Sequence, residues 1–595
     1  MAMPSGMSRT DGFDDAQRGG PRRQDRTAKA SWGSVAWAVV LVALLVVLVI
    51  LPLATVLFGA FWSQSPIMPG GELTLDNWEE VLTSRSFLKG VRTSLVIGVS
   101  VTLLCTIAAS ALAFAVVRTN LYFKRAVEGA IYVNLATSPF VLATSWIALA
   151  TPHAGLLNQL PGLDELNIST VQGIVFVMVT FFVPWFYLMV KPSISTMDSR
   201  LEEAAAVHGA KPSRMVRDVT LQLIRPALLG AVLLIFVMAV DTFSIPALLG
   251  APSGITVLPY QMYAYVYSFP AAWEKSAVVG IVLLVFAVVL LLTRDKVVGD
   301  VRRYRIVGGK GGAAKTIRFP PALRHLFSWL ALGYVVVATV LPIVGLIAGA
   351  FLKYATGQGI TLDALTLQNF GVLQNAGFQS SFRTTVLVMI VASFFDVALC
   401  LAVTILVFQT RIRFLSALAD LLVRMPVGIP GIVLGAGLLW AYVRIPLPIY
   451  GTMAILLIAL ATRYLAQTFN TVSSAYLQIS PELREAALVS GAGSLRIVRD
   501  IDLPLMYRAL GTSLVFTMIL IGGEVNSSVM VSSPNASTLP IFLFQVLSGT
   551  GNPQFAYVVA LAQLALVVIV GGIAWLVGRL FIRHLAYGAQ RSQNV

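Results

Sequence analysis

Few side chains in this sequence could do chemistry, and most of those lie inside greasy runs. Asp241, Asp396 and Glu524 each interrupt a stretch of apolar residues long enough to cross a bilayer. A carboxylate in hydrocarbon costs several kcal/mol unless it faces water or a partner, so each is a candidate for function. Asp241 and Glu524 fall at near-equivalent places in two similar segments, towards the outer end of a span, and Asn526, Ser527 and Ser528 add polarity beside Glu524. Two roles are open to this pair: flanking a translocation path, or hydrogen-bonding interrupted backbone near Pro246 or in another helix. Asp396 lies mid-span and reads as a packing or helix-contact residue.

Other reactive constellations are missing from the pattern. His153, His208, His325 and His584 are scattered without metal-ligand spacing, and Cys105 and Cys400 sit in apolar runs, where a thiol packs. The stretch GKGGAAKT at 309–316 nearly spells a phosphate-binding loop, but Ala314 stands where the last glycine is required and no hydrophobic strand precedes it. It reads as a flexible basic connector. With no Ser/His/Asp set and no flavin fingerprint, the expectation is a chain without catalytic residues, metal ligands or a cofactor of its own.

What must position the carboxylates is a membrane bundle. Of 595 residues 57% are hydrophobic and 12% charged, and the mean hydropathy is +0.83; this excludes a soluble domain. Apolar runs of about 20 residues recur along the chain, without the alternation of barrel strands, so helices must satisfy the backbone. The expected fold is an all-α membrane protein with about twelve transmembrane helices. They are placed at 33–60, 93–117, 129–151, 171–190, 227–249, 276–293, 326–351, 384–408, 421–442, 450–469, 510–532 and 557–580. Prolines in the third (Pro139) and ninth (Pro426, Pro430) predict kinks there. With the N-terminus in the cytoplasm, 35 of the 42 Lys and Arg fall inside and seven outside: Arg85, Lys89, Arg92, Lys275, Lys353, Arg383 and Arg444. That bias sets the orientation, with both termini cytoplasmic. The net charge of +15 is therefore a topology signal and gives no warrant for nucleic-acid binding.

The chain is written twice. LPLATVLFGAF at 51–61 answers LPIVGLIAGAF at 341–351, TLDNW at 74–78 answers TLQNF at 366–370, and VRTS at 91–94 answers FRTT at 382–385, each pair about 290 positions apart. Six spans per half give parallel repeats related by an axis along the membrane normal. The expected organisation is a basic cytoplasmic tail at 1–31, a first repeat at 32–293, a cytoplasmic linker at 294–325, a second repeat at 326–580 and a C-terminal tail at 581–595.

The repeat also copies a polar segment. LEEAAAVHGAKPSRMVRDVTLQLIRP at 201–226 and LREAALVSGAGSLRIVRDIDLPLMYR at 483–508 lie 282 apart, both between the fourth and fifth spans of their half and both on the cytoplasmic side. Glu203 and Glu485 are expected in the first turn of a short helix, where the dipole favours an anion; alanines keep it slim, and Gly209 and Gly491 allow a sharp exit. Such a helix can dock in another protein's groove.

The pattern Glu-Ala-Ala, three residues, Gly, and Leu-Pro twelve residues beyond resembles the cytoplasmic loop of type I binding-protein-dependent ABC importer permeases. The second copy matches it throughout, at Glu485, Ala486, Ala487, Gly491, Leu503 and Pro504; the first has Glu203, Ala204, Ala205, Gly209 and Leu221, with Gln222 in place of the proline. The resemblance covers essentially the whole chain, including the outer TLxN entries and FSIPALLGAPSG at 243–254, and is greatest to the fused ferric-iron subgroup, with thiamine, polyamine and phosphonate systems as relatives. It implies a non-catalytic permease in the inner membrane, working by alternating access. Two copies of a separate ATPase would hold ATP and Mg and grip the two coupling helices, and an extracytoplasmic binding protein would deliver the cargo. An ion-coupled secondary transporter of twelve spans would explain the carboxylates, though not the paired loops.

Overall fold

Ten helices among the described residues are long and apolar enough to cross a membrane, and two bent pairs bring the number to twelve if each pair is one span. The computed structural model describes residues 32–65, 70–163, 165–197, 207–209, 214, 216–298, 316–353, 362–410, 412–443, 447–549 and 552–593. In the first half these form α1 (Val35–Ala60), α2 (Arg85–Arg118), α3 (Lys124–Leu135), α4 (Pro139–Ala150), α5 (Val171–Ser195), α6 (Leu221–Asp241), α7 (Ser244–Leu249), α8 (Leu258–Tyr267) and α9 (Trp273–Val298). The second half follows with α10 (Pro321–Phe351), α11 (Ala376–Gln409), α12 (Arg413–Arg424), α13 (Gly431–Val443), α14 (Met453–Tyr476), α15 (Pro481–Val489), α16 (Leu503–Gly522), α17 (Ser528–Val531), α18 (Leu539–Ser548) and α19 (Pro553–Gln593). α2 and α11 are each 34 residues long, so the repeat seen in the letters is also one of element length.

The third and ninth expected spans are sharply broken. α3 and α4 meet at 107°, and the stretch 413–428 meets α13 at 115°. Proline explains where the breaks fall: it forces the preceding residue out of helical geometry and then suits the first turn of a new helix. Ser138 (ψ 144°) precedes Pro139, and Ile429 (ψ 119°) precedes Pro430. The two fifth spans are interrupted as well, after Asp241 and after Gly522, so the eleventh does not run on helically to 532 as expected. Helices also reach into the expected connectors: α9 continues to Val298, α10 begins at Pro321, and α19 runs on through 581–593. The near phosphate-loop falls outside the described residues except for Thr316.

Within each half, the second, fourth and fifth spans pack on one another, α2 with α5 and α6, α11 with α14 and α16. Cys105 and Cys400 are free, buried, and reach a carbonyl of the fourth span, Val179 O at 3.7 Å and Leu465 O at 3.4 Å. Between halves the arrangement is reciprocal: α1 lies on α13 and α12 of the second half, while α10 lies on α4 and α3 of the first. Small residues permit that approach. A Cβ at Gly437 would collide with the Pro52 carbonyl oxygen, and one at Gly345 would stand 2.6 Å from Leu149 Cγ. The Thr55 hydroxyl lies 2.8 Å from Gly437 O. Because backbone is what Gly437 meets, Gly437→Val is expected to destabilise the bundle by about 1–3 kcal/mol. Thermal unfolding in detergent checks this against Gly571→Val, which has nothing within 4 Å of its Cβ and should melt like the parent.

Candidate functional site: a shared cavity and a pair of loops

Where the broken spans meet the interrupted fifth spans, the two halves enclose a cavity of about 390 Å³. The first half lines it with the α3–α4 break, α5 and the end of α6; the second half contributes Pro426, Val427, one side of α14 and residues 519–526. The facing walls differ in chemistry. At positions 282 apart, Phe181 on α5 answers Arg463 on α14, Phe182 answers Tyr464, and Trp185 answers Gln467. At these three positions the first half presents aromatic rings and the second presents a guanidinium, a phenol and an amide.

Polar groups of the cavity are fastened to interrupted backbone. Asp241 Oδ2 accepts from Arg463 Nη2 at 3.2 Å and from the Gly431 amide at 3.3 Å, while Arg463 Nη1 donates to Ile429 O at 2.6 Å. A carboxylate of the first half and a guanidinium of the second therefore hold the frayed ends at the second break. The opposite contact exists too: Ser138 Oγ, at the first break, donates to Gly523 O of the second half at 3.1 Å. Glu524 accepts from the Ser527 and Ser528 amides at 2.8 and 3.2 Å, so it caps the short α17. Ser244 Oγ donates to Asn526 Oδ1 at 3.1 Å, and these two residues are themselves 282 apart. Equivalent residues can touch only at a symmetry axis, so this pair marks the pseudo-twofold.

Asp241, Glu524 and Asn526 are thus gathered at one cavity, with Ser527 and Ser528 behind Glu524. Asp396 is elsewhere, fully buried on α11, and neither of its oxygens has a hydrogen-bond partner among the described residues. Arg463 joins the site without having been singled out from the sequence; its signal was a lone Arg deep inside an apolar span. Among the described residues no three His, Cys, Asp or Glu side chains are grouped to hold a metal ion.

The polar loops are built alike where both are described. Glu203, Ala204 and Ala205 lie outside the described residues; Gly209 is exposed with φ +76°, and Gly491 with φ +79°. Around Gly491 the backbone closes a Schellman turn: Gly491 N donates to Leu488 O at 3.0 Å and Ala492 N to Ala487 O at 2.9 Å. Ala486 and Ala487 sit on α15 with Glu485 exposed beside them, and no residue of α15 is buried. Glu485 stands in the second turn of that helix, not the first, because Pro481 starts the helix early and Glu482 takes the first-turn place. After the loops, five-residue π-helical turns at 216–220 and 498–502 lead into α6 and α16, beginning at Leu221 and Leu503. Gln222 and Pro504 enter their helices in the same way.

Two measurements follow from this geometry. Arg463→Leu strands Asp241 and is expected to destabilise the protein by about 3–5 kcal/mol, with Asp241→Asn in the same chain recovering much of the loss; melting of the single and double variants decides it. With Cys105 and Cys400 replaced, a thiol at Asp241→Cys or Glu524→Cys should react with a hydrophilic reagent and one at Asp396→Cys should not; protection of the first two in every transport state would remove them from a path.

Comparison with known proteins agrees with the architecture. Residues 93–303 match the family described as binding-protein-dependent transport system inner membrane component. The ferric transport system permease protein FbpB of Actinobacillus pleuropneumoniae is 23% identical over 481 residues, covering 78% of this chain and 68% of that protein. A Haemophilus influenzae protein named as a ferric transport system permease, FbpB 1, is 24% identical over 456 residues, covering 74% and 69%. A Salmonella choleraesuis protein named as a 2-aminoethylphosphonate transport system permease, PhnU, is 25% identical over 278 residues, 44% of this chain and 92% of its own length. Residues 93–303 are thus similar to inner-membrane components of binding-protein-dependent transport systems, and the similarity to relatives named as ferric transport permeases runs over 78% and 74% of the chain.

Proposed function

We propose that this chain is the membrane permease of an ATP-driven importer whose cargo is ferric iron, delivered by an extracytoplasmic binding protein. The observation that carries the reading is the shared cavity: both halves supply its walls, and their equivalent residues meet on its axis at Ser244 and Asn526. Such a path opens when the halves move against each other. The relatives whose names specify ferric transport extend across both halves, which is the support for that cargo.

In this reading the chain does no bond chemistry. Two cytoplasmic ATPase subunits bind ATP and Mg, one gripping the segment around Glu203, Ala204, Ala205 and Gly209, the other gripping α15 with Glu485, Ala486, Ala487 and Gly491. Leu503 and Pro504 carry the second loop back into the bilayer. Both termini and the 294–325 linker share the cytoplasmic side with these loops. Asp241, Glu524 and Asn526 line the path, and Arg463 offsets one of its two carboxylates.

Reconstitution tests the proposal: the chain with its ATPase and binding protein in proteoliposomes should take up ferric iron only with ATP, and uptake driven by an ion gradient without ATP would overturn it. Glu485→Lys reverses a charge on the exposed face of α15, and Gly491→Pro cannot adopt a φ of +79°. Both variants are expected to abolish uptake and to weaken co-purification of the ATPase; unchanged values for both would remove the docking assignment.

A further inference from the structure

Among the described residues, one polar joint ties α15 to the body of the protein. While no residue of the helix is buried, the Arg484 side chain turns inward and is only 16% exposed. Its Nε donates to Asp502 Oδ1 at 2.8 Å, and its guanidinium lies over the Tyr476 ring, 3.8 Å from the centroid. The other oxygen of Asp502 accepts from Gln409 Nε2 at 2.8 Å, and the Asp502 side chain is fully enclosed. These partners stand at the ends of three different helices. Tyr476 is the last residue of α14, Gln409 the last of α11, and Asp502 immediately precedes α16. Those three helices pack against one another pairwise, and α14 and α16 run on to the cavity, where Arg463 and Leu520 line its wall.

One guanidinium is therefore anchored to a whole three-helix unit. We propose that Arg484, seated on Asp502, Gln409 and Tyr476, is the positioning residue through which displacement of α15 is transmitted to α11, α14 and α16. The joint is stiff for a physical reason: separating charges in an enclosed site costs far more than separating them in water. The neighbouring pairs Arg496–Asp500 and Arg499–Asp500 are solvent-exposed and can yield without comparable cost. Tyr476 adds a stacking surface that a lysine could not use in the same way. The inference rests on the importer reading, in which an ATPase moves α15.

The test uses the complete complex in proteoliposomes and reads three quantities: ATPase co-purification, ATP hydrolysis, and uptake per ATP hydrolysed. Arg484→Met combined with Asp502→Asn removes the joint without leaving a buried charge. Co-purification and hydrolysis should stay within about twofold of the parent while uptake per ATP falls about tenfold, the scale of coupling between separated sites. Arg484→Lys should lose part of that yield, and exchange of the charges, Arg484→Asp with Asp502→Arg, should recover part of it. Should the double variants fail to fold, Gln409→Leu keeps the ion pair and detaches α11 alone, and it should lower the yield to an intermediate level. Unchanged uptake per ATP in the folded variants overturns the proposal, as does lost co-purification, which would make Arg484 a docking residue. A parent chain that fails to retain the ATPase at all counts against the importer reading instead.

Discussion

Backbone interrupted inside a membrane must find hydrogen-bond partners, and the rest of this structure is arranged around that demand. Water is scarce at that depth, and an unsatisfied amide or carbonyl there costs several kcal/mol. This chain interrupts its third and fifth spans in both halves, at 136–138, 242–243, 425–430 and 523–527. Side chains from elsewhere meet the cost. Ile429 O takes Arg463, the Gly431 amide takes Asp241, Gly523 O takes Ser138, Leu520 O takes Tyr464, and Gly522 O takes Gln563. The Asp241 and Ser138 contacts cross from one half to the other. The breaks that open a cavity are therefore also what binds its two walls together.

Duplication within one chain lets those walls diverge. A homodimer would place the same side chain on both sides of the axis. Here Phe181, Phe182 and Trp185 hold the positions that Arg463, Tyr464 and Gln467 hold in the other half, while Ser244 and Asn526, different in type, still meet on the axis. The joint beneath the second half follows the same logic. Arg118, fully buried, holds the register of Gln409, and Thr220, also buried, holds that of Asp502, so the first half uses other chemistry at the same places.

How far the sequence could be read depended on whether a signal was local. The prolines at 139 and 430 located the breaks, because proline acts on its own neighbours; the angles of 107° and 115° were not legible, since they depend on which helices pack around the two arms. Asp241 and Glu524 stood out because charge in hydrocarbon is costly wherever it occurs. Asp396 gave the same signal and is not at the cavity: α11 is apolar nearly all round, so no periodicity distinguishes the face that looks inward. Arg463 escaped notice for the opposite reason, since the rule that assigns Lys and Arg to the nearer membrane surface absorbed it into the sidedness count. The loops were legible as repetition, whereas the turn that Glu485 occupies depended on Pro481 starting the helix.

The cross-half contacts also govern how such a cavity can change shape. Asp241 with Arg463 and Gly431, and Ser138 with Gly523, are separate bonds, yet they join the same two bodies. If the halves move as rigid units the contacts break together, because tightly packed helices shift between discrete arrangements and do not stretch. Neutral hydrogen bonds exchanged for bonds to entering water cost only about 0.5–1.5 kcal/mol each. The charged pair costs more while it stays dry, and less once water reaches it. Entry of water and parting of the halves therefore favour each other, which makes a fully closed and a fully open cavity stable relative to intermediate shapes.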